Sequence, residues 1–516
     1  MQRPSTAPSA NRPTTSYPSA NRPTTTAPSL NRPGMGAPSV NRPNATVGGG
    51  NFGGNRSVQS GSRPTIAPRG VADHVSSHGV QFQTRPNGQM RQMHDARTGM
   101  DIHRGLNGNR SISMERADHS RVFAARGRPG FVQRPYNFHG HDFSRRTYFY
   151  HGRAYSNFYH GYGYRGLFLN VYAPGFYYGP AFYGWAYNPW RSPITFGWGW
   201  GGSPWYGYYG GYFSPYPSYP SASYWLTDYM ISQDLQSAYA AHQEAGEMDG
   251  APSAAGGPTE LTPDVKQQIA DEVRNQLALE NQEAQQNAQQ QDVDPGSSGI
   301  ARMLNDAGNG RQHVFVVGTA LDVVDASQTE CILSDGDVLG LQSAPPADAT
   351  TVDLVVLASK GGAECQKRAT VSVSLDDLQE MQNHMRASID QGLQELQAKQ
   401  GKGGLPAAPA SAQMTPAVYA SVAPPQDPSV ASELQQQVQQ GDQAEKDVTG
   451  NAPQAGGLAP SVAPAAPATV TLGQTQGEVE GILGQPTSRA VLGPKVVYNY
   501  NGMKVIFKNG KVSDVE

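Results

Sequence analysis

The stretch "FGWGWGGSPWYGYYGGY", Phe196 to Tyr212, decides how the front half of this 516-residue chain is interpreted. It contains eight aromatic residues, seven glycines and no charged residue. Aromatic rings pair in offset or edge-to-face arrangements, each contributing about 0.5–1.5 kcal/mol beyond the buried area. Glycine loses more backbone entropy on ordering than other residues. The stretch therefore favours many reversible contacts over one fixed core.

The residues around this stretch have the same character. All six tryptophans and 20 of the 25 tyrosines lie between residues 131 and 229, where Val, Ile and Leu are scarce. We therefore expect residues 131–225 to form an aromatic and glycine-rich low-complexity segment, with one or two short strands in "GLFLNVYAPGFYYG" (166–179).

Arginines alternate with these rings, and a guanidinium over an exposed ring contributes about 0.5–1 kcal/mol. This combination predicts multivalent contacts with a partner. The candidate interaction residues are Trp185, Trp190, Trp198, Trp200, Trp205, Trp225, Arg145, Arg146, Arg153, Arg165 and Arg191.

The residues before this segment are polar. Residues 1–66 contain a decapeptide repeat, "APSANRPTTS" to "APSVNRPNAT", with an Asn-Arg-Pro in each copy. Its prolines disfavour both helices and strands, which predicts a disordered tether, or else a peptide ligand for a groove-binding module. Residues 67–130 are rich in Arg, His and Gly and are expected to be disordered as well.

Charge divides the chain into two unlike halves. Residues 1–225 contain 23 Arg, no Lys and six acidic residues, a net charge of +17, whereas residues 226–516 have a net charge of −20. Such asymmetry favours anionic partners for the front half, or attraction between the two halves and self-association. Envelope polymers, proteins and nucleic acid all remain candidate partners. Clustered Arg-Gly-Gly, typical of flexible RNA-binding segments, is missing.

The second half has clearer periodicity. Apolar spacing predicts helical segments over 226–290, with Thr262 as N-cap and Pro263 as first helical residue of the second helix, before a Gln-rich end. Residues 311–398 predict a small antiparallel domain of about five strands closed by a long helix, with a hairpin at Asp335-Gly336 and Ser374 as the helix cap. The predicted fold class is thus α+β.

The chain ends with a linker and a small module. Proline, alanine and glutamine over 401–468 indicate a semi-extended linker. In 469–516, Thr475 and Glu478 form a capping box, and three strands follow with turns at Asn501-Gly502 and Asn509-Gly510.

This module resembles the SmpA/OmlA (BamE-like) domain of bacterial envelope proteins. The matching residues are mainly structural: Gly473, Val479, Leu483, Gly484, Gln485, Pro486, Tyr498, Tyr500, Val505, Phe507, Gly510 and Val512. The resemblance covers less than a tenth of the chain. It implies a bacterial protein that works outside the cytoplasm and binds protein partners, with no catalytic residues carried over. The lipobox cysteine typical of that family is missing.

The chain has two cysteines, Cys331 and Cys365, both in the predicted β-rich domain. A disulfide is the favoured interpretation, and it would place the protein in an oxidising compartment. Two buried free thiols, or redox or metal chemistry, are the alternatives.

No other pattern predicts chemistry. Imidazoles near one another can bind zinc, copper or nickel, but the spacing of His139, His141, His151 and His160 does not match a structural zinc site. Asp335 and Asp337 lack the Asp-Thr/Ser-Gly pattern of aspartic proteases, and no nucleotide-binding or hydrolase motif occurs. We therefore expect a protein that is not an enzyme and has no cofactor.

The expected compartment is the periplasm or cell envelope. No apolar run is long enough for a transmembrane helix, and the first residues lack the apolar core of a signal peptide. We expect the translation start to lie upstream of Met1. The alternative is a cytoplasmic protein associated with nucleic acid through its basic, aromatic front half.

Overall fold

The structure is a computed structural model. It describes residues 68–150, 152–245, 260–361, 364–409, 413–449, 479, 488–492, 495–500, 503–508 and 511–515. The expected tether at 1–66 lies outside the described residues. The described part contains both helices and antiparallel sheets, which confirms the mixed α and β class.

The first sheet has ten strands, each paired antiparallel with the next along the chain. The strands are β1 (Ala72–Val75), β2 (Gln81–Thr84), β3 (Met90–Asp95), β4 (Met100–Arg104), β5 (Arg110–Glu115), β6 (Arg121–Ala125), β7 (Gly130–Phe138), β8 (His141–Tyr150), β9 (Arg153–Tyr164) and β10 (Leu167–Ala173).

The expectation of disorder over 67–130 was therefore wrong. Glycines with positive φ recur at Gly79, Gly88, Gly99 and Gly108, where they close tight turns between strands. Such spacing is the sequence signal of successive hairpins. Apolar side chains between the turns are buried on the sheet, including Met93, Ile102, Ile112, Val122 and Val132.

The expectation that 131–225 forms no compact core was also wrong. After β10 come β11 (Phe176–Tyr178), α1 (Pro180–Tyr187), a 3₁₀ turn at Trp200–Gly202 and α2 (Pro204–Tyr209). Their rings are buried against the helices that follow, and Phe182, Phe213, Tyr219 and Trp225 are at most 1% exposed. The area that Val, Ile and Leu usually bury is supplied here by aromatic rings.

Long helices enclose this aromatic core. They are α3 (Ala222–Ala245), α4 (Pro263–Ala288) and α7 (Leu375–Lys399), with the short α5 (Pro295–Ser298) and α6 (Ile300–Gly308) between α4 and the next sheet. In α4, Val265, Ile269, Val273 and Leu277 form the buried stripe that their spacing predicts. Thr262 is the N-cap residue of α4, although its side chain makes no capping hydrogen bond.

The second sheet has six strands, one more than expected. They are β12 (His313–Val316), β13 (Leu321–Asp325), β14 (Glu330–Leu333), β15 (Val338–Leu341), β16 (Thr351–Ala358) and β17 (Thr370–Ser374), in the order β12-β15-β16-β17-β13-β14. Helix α7 follows, and the Ser374 hydroxyl accepts a hydrogen bond from the Asp377 amide.

The hairpin predicted at Asp335-Gly336 does not form. Strands β14 and β15, on either side of this turn, have different partners in the sheet. Gly336 still has the positive φ that the turn requires, 86°, and its amide donates to the Val317 carbonyl. The turn therefore connects two strands that are not neighbours in the sheet.

The residues expected to form a linker, 401–468, contain ordered elements as well. These are β18 (Met414–Pro416), paired with β11, α8 (Val418–Ser421) and α9 (Val430–Thr449). Helix α9 packs on the first sheet, where Val430 and Val448 join its apolar clusters. The apolar residues of α9 are few and are separated by glutamines, so the sequence shows only a weak helical periodicity there.

The final module has four strands instead of three: β19 (Ser488–Leu492), β20 (Lys495–Tyr500), β21 (Met503–Lys508) and β22 (Lys511–Val515). Tyr498, Val505, Phe507 and Val512 form its core with Val479. The rest of the predicted helix and both Asn-Gly turns lie outside the described residues.

Candidate functional site

Four aromatic rings form a continuous stack between the aromatic segment and α3. The ring centroids of Trp200 and Trp198 are 4.4 Å apart, those of Trp198 and Trp225 are 4.7 Å apart, and those of Trp225 and Tyr229 are 5.4 Å apart. The interplanar angles are 17°, 26° and 11°. Offset stacking of this kind fixes each ring through its neighbours.

Buried hydrogen bonds fix the orientation of the stack. The Trp198 Nε1 donates to the Tyr219 hydroxyl at 2.6 Å, and this hydroxyl donates to Asp228 at 2.8 Å. The carboxylate of Asp228 is fully buried and pairs with Lys266 at 2.6 Å. The position of the Trp198 ring is therefore set by a chain of polar contacts as well as by packing.

An open groove of about 540 Å³ runs beside the stack. Phe196, Trp198, Trp200 and Tyr229 form its aromatic side, and all four are partly exposed. Glycines separate the first three of these residues and let successive rings face the groove. Gly199, between Trp198 and Trp200, has a φ of 74°, a conformation that favours glycine.

Polar residues from two helices form the other sides of this aromatic groove. Gln233 and Gln236 come from α3, Glu395 and Lys399 from α7, and Lys402 follows α7. The Glu395 and Lys399 side chains pair at 3.0 Å and are 42% and 52% exposed, respectively. The lining thus combines an apolar surface, amides and three accessible charges with a net charge of +1.

The predicted interaction residues separate into three groups. Trp198 and Trp200 line the aromatic groove, and Trp225 stacks on Trp198. Trp190 and Trp205 are core residues, and Trp185 is half-buried. The sequence does not distinguish these roles, because it does not show which rings bury one another.

The five predicted arginines lie apart from the aromatic groove. Arg146 is buried and bound to Glu380, while Arg145 and Arg165 donate to backbone carbonyls at Pro424 and Pro346. Arg153 and Arg191 are exposed. The groove residues that sequence reasoning missed are Tyr229, the two glutamines and the residues near the end of α7.

Many other arginines of the basic half pair with carboxylates of the acidic half. These ion pairs link strands of the first sheet to β13, β14, α9 and nearby turns. They join Arg85 to Asp322 and Glu330, Arg91 to Glu330, Arg104 and Arg110 to Glu445, Arg116 to Glu433, Arg128 to Asp335, and Arg134 to Asp427 and Glu433. Much of the charge asymmetry is thus used within the chain.

A second cavity, of only about 20 Å³, lies between the first sheet and α4. His160, Tyr172, Glu283 and Tyr419 are among its lining residues. Burial lowers the pKa of His160 to about 4, so this imidazole is neutral near pH 7.

A buried carboxyl cluster adjoins this cavity. Arg386 donates to Glu283 at 2.6 Å, and the Tyr172 hydroxyl donates to Asp390 at 2.6 Å. Burial raises the pKa of Asp390 to about 6 and also raises the pKa of Glu280. Because burial disfavours the charged form of these carboxyl groups, the cluster retains protons at pH values where exposed carboxyl groups would lose them.

In the described part of the chain, the histidines are not grouped as the ligands of a metal centre. His139 and His141 lie 3.0 and 3.8 Å from Asp292, and His151 lies outside the described residues. Within the described ranges, no group of three or more His, Cys, Asp or Glu side chains could hold a metal ion.

The cysteines Cys331 and Cys365 are joined in a disulfide that ties β14 to the segment after β16. In the nearby turn, Asp335 binds Arg128 through both carboxylate oxygens, and Asp337 accepts from Lys360 at 2.5 Å. The two aspartates therefore pair with different cations, and Lys360 also lies 3.4 Å from Glu364.

Among the helices of the described part, none combines the length and apolar character needed to span a membrane. Comparison with protein-family models, curated proteins and solved structures finds no match to this chain.

Proposed function

We propose that this chain is a non-enzymatic interaction protein of the bacterial periplasm or cell envelope. The observation that carries the proposal is the preformed aromatic groove, whose rings are held by stacking and by the hydrogen bond from Trp198 to Tyr219. A groove that is rigid before binding loses little conformational entropy when a partner enters.

The disulfide supports the proposed compartment. Disulfides persist in the periplasm and outside the cell, whereas the reducing cytoplasm keeps most thiols free. Cys365 is 1% exposed and is bonded to Cys331. The resemblance of the last module to SmpA/OmlA domains agrees with this compartment.

Nucleic acid is less well supported as the partner of the basic half. Binding to phosphates needs free Arg or Lys side chains in a row, but Arg104 and Arg110 share Glu445, and Arg116 and Arg134 share Glu433. These arginines stabilise the contact between the first sheet and α9.

Fractionation of the cells that naturally produce the protein tests the proposed compartment. Intact cells are treated with a small thiol-blocking reagent, and the extracted chain is then labelled with a maleimide polymer before and after reduction. We expect the chain outside the cytoplasm, with both cysteines labelled only after reduction. A cytoplasmic chain whose two thiols are already blocked would contradict the proposal.

A further inference from the structure

The lining of the aromatic groove indicates the chemistry of its partner. Trp200 and Tyr229 are the two ends of the ring stack. Trp200 also contacts the rings of Trp205, Tyr206 and Phe213 at angles of 43–70°, so only part of its outer surface is open. Both residues are partly exposed and line the groove. Apolar C–H faces of sugar rings pack on such aromatic surfaces.

The amides of the groove suit hydroxyl groups. An amide both donates and accepts hydrogen bonds, as a sugar hydroxyl does. Gln233 is exposed in the groove, and Gln236, although its Nε2 donates to the Ser232 carbonyl, retains its acceptor oxygen. Glu395 provides a further acceptor at the same wall, because Lys399 pairs with its Oε2 atom alone.

The charges of the groove favour an acidic partner. Lys399 and Lys402 are exposed on one side and Glu395 is the single carboxylate among them. The chain as a whole has a net charge of −3, so the groove is locally positive on an acidic protein. Such a local field attracts anions over roughly one Debye length, about 8 Å at physiological salt.

The form of the groove favours a chain over a small molecule. Its volume, about 540 Å³, lies within the range of roughly 300–1,000 Å³ that is typical of small-ligand pockets, but the groove is open to solvent and therefore does not enclose a ligand. A polymer can enter an open groove from the side and continue beyond it.

We propose that the aromatic groove binds an acidic glycan, a carboxylate-bearing polysaccharide chain, with Trp200 and Tyr229 contacting sugar rings and Lys399 and Lys402 contacting carboxylates. This inference rests on the proposed function and names its partner. Single-stranded nucleic acid also combines stacking with negative charge. It is less well matched, because the groove has a carboxylate beside only two lysines and no arginine among its lining residues.

Calorimetric titration of the full, oxidised chain tests this proposal. The probes are a galacturonic acid hexamer and peptide-free cell-wall glycan strands, with uncharged cellohexaose and a thymidine dodecamer for comparison. We expect at least one acidic glycan to bind and to change the tryptophan fluorescence, since all six tryptophans lie between residues 185 and 225. Cellohexaose should bind more weakly.

Matched variants locate the binding. The double variant Lys399→Gln, Lys402→Gln should weaken binding of the acidic glycan about fivefold, as expected for two exposed ion pairs. Lys446→Gln, which changes an exposed lysine of α9, should leave binding unchanged. Trp200→Ala should weaken binding further, and thermal unfolding of each variant checks that its fold is intact.

Three outcomes would overturn the inference. These are no binding of either acidic glycan, binding that the lysine and Trp200 variants do not change, and tighter binding of the thymidine dodecamer. The first two would leave the proposed compartment intact, since fractionation tests it separately. Tighter binding of the dodecamer would favour a nucleic-acid partner and, with a cytoplasmic location, would contradict the proposed function too.

Discussion

Glu380→Gln should destabilise the protein more than Arg146→Met, although both remove the same ion pair. The Arg146 guanidinium donates to both carboxylate oxygens of Glu380, at 2.8 and 2.7 Å. The two side chains differ in exposure: Arg146 is 2% exposed and Glu380 is 41% exposed. When one partner is removed, the cost therefore depends on which charge stays behind.

Glu380→Gln leaves a guanidinium buried without its counter-ion, a change that costs about 3 kcal/mol of the free energy of unfolding. Arg146→Met leaves a carboxylate that water can reach. It loses the hydrogen bond to Gln133 at 2.8 Å and the contacts over Phe131 and Tyr159, together about 1–2 kcal/mol. Methionine fills most of the space of the arginine stem.

Hydrogen exchange of peptides from β8 and α7 measures these local free energies in the full chain. The pH dependence provides an internal control. Loss of hydration where the Glu380 carboxylate meets Arg146 would by itself raise the pKa of Glu380, but the charge of Arg146 and its hydrogen bonds outweigh this and hold the pKa below its usual 4.5. The stabilisation is complete above pH 4.5 and is lost as the pH falls through the lowered pKa. The Glu380→Gln penalty must shrink over that range, and an Arg146→Met penalty equal to or larger than the Glu380→Gln penalty would refute the reasoning.

Three further changes test other parts of the fold. Cys331→Ser should lower the free energy of unfolding of the second sheet by about 2–4 kcal/mol, measured by urea unfolding, and reductant should destabilise the parent chain but not the variant. His160→Gln should remove a loss of stability that the parent chain shows below pH 6.5. Burial lowers the pKa of His160 to about 4, so the parent loses up to about 3 kcal/mol as the pH falls from 6.5 to 4. If the unfolding midpoints of the variant match those of the parent across that range, this reasoning is wrong. Gly392→Ala should destabilise the α3–α7 contact by about 1–3 kcal/mol, because the new Cβ would lie 2.4 Å from a Leu226 side-chain atom. Gly207→Ala is the control: its new Cβ would have no atom within 4 Å, so it should show no steric cost when both variants are compared by thermal unfolding.

The helices and the second sheet follow from local patterns that the sequence displays. The stripe of α4 and the Ser374 cap of α7 both use contacts within a few residues, so their spacing suffices to predict them. The order of the six strands does not follow, since β14 and β15 are adjacent in sequence but not in the sheet. Only the pairing of distant strands decides whether a turn such as Asp335-Gly336 closes a hairpin.

The first sheet was missed because its turn signals were treated as signs of disorder. At Arg165-Gly166, φ is 49° and 80°, so both central residues of a two-residue hairpin turn have positive φ. This is the geometry of a type I′ turn, which matches the twist of the flanking strands. The even recurrence of such glycines was the available signal, whereas low apolar content pointed the wrong way.

Only part of the aromatic side of the candidate site was predictable from local sequence. Trp198 and Trp200 stand out in any reading of the aromatic stretch, but Glu395 and Lys399 belong to an amphipathic helix nearly two hundred residues later. Their place beside the rings depends on α7 packing against α3, where Gly392 approaches Leu226. No local pattern encodes that contact.

The long sequence separation between interacting residues also explains why composition is a poor guide to order in this chain. Arg146 is separated from Glu380 by 234 residues, and Arg104 from Glu445 by 341. Considered alone, the first half contains buried guanidinium groups without counter-ions, which would oppose folding. The acidic half supplies those counter-ions together with α9, which covers the sheet's apolar residues. The excess charge of each half is therefore not evidence for an external partner. It is what allows a front half poor in aliphatic residues to fold against the rest of the chain. In the part of the chain that the structure describes, the aromatic groove, with its partly exposed rings and the exposed Lys399 and Lys402, remains open for binding.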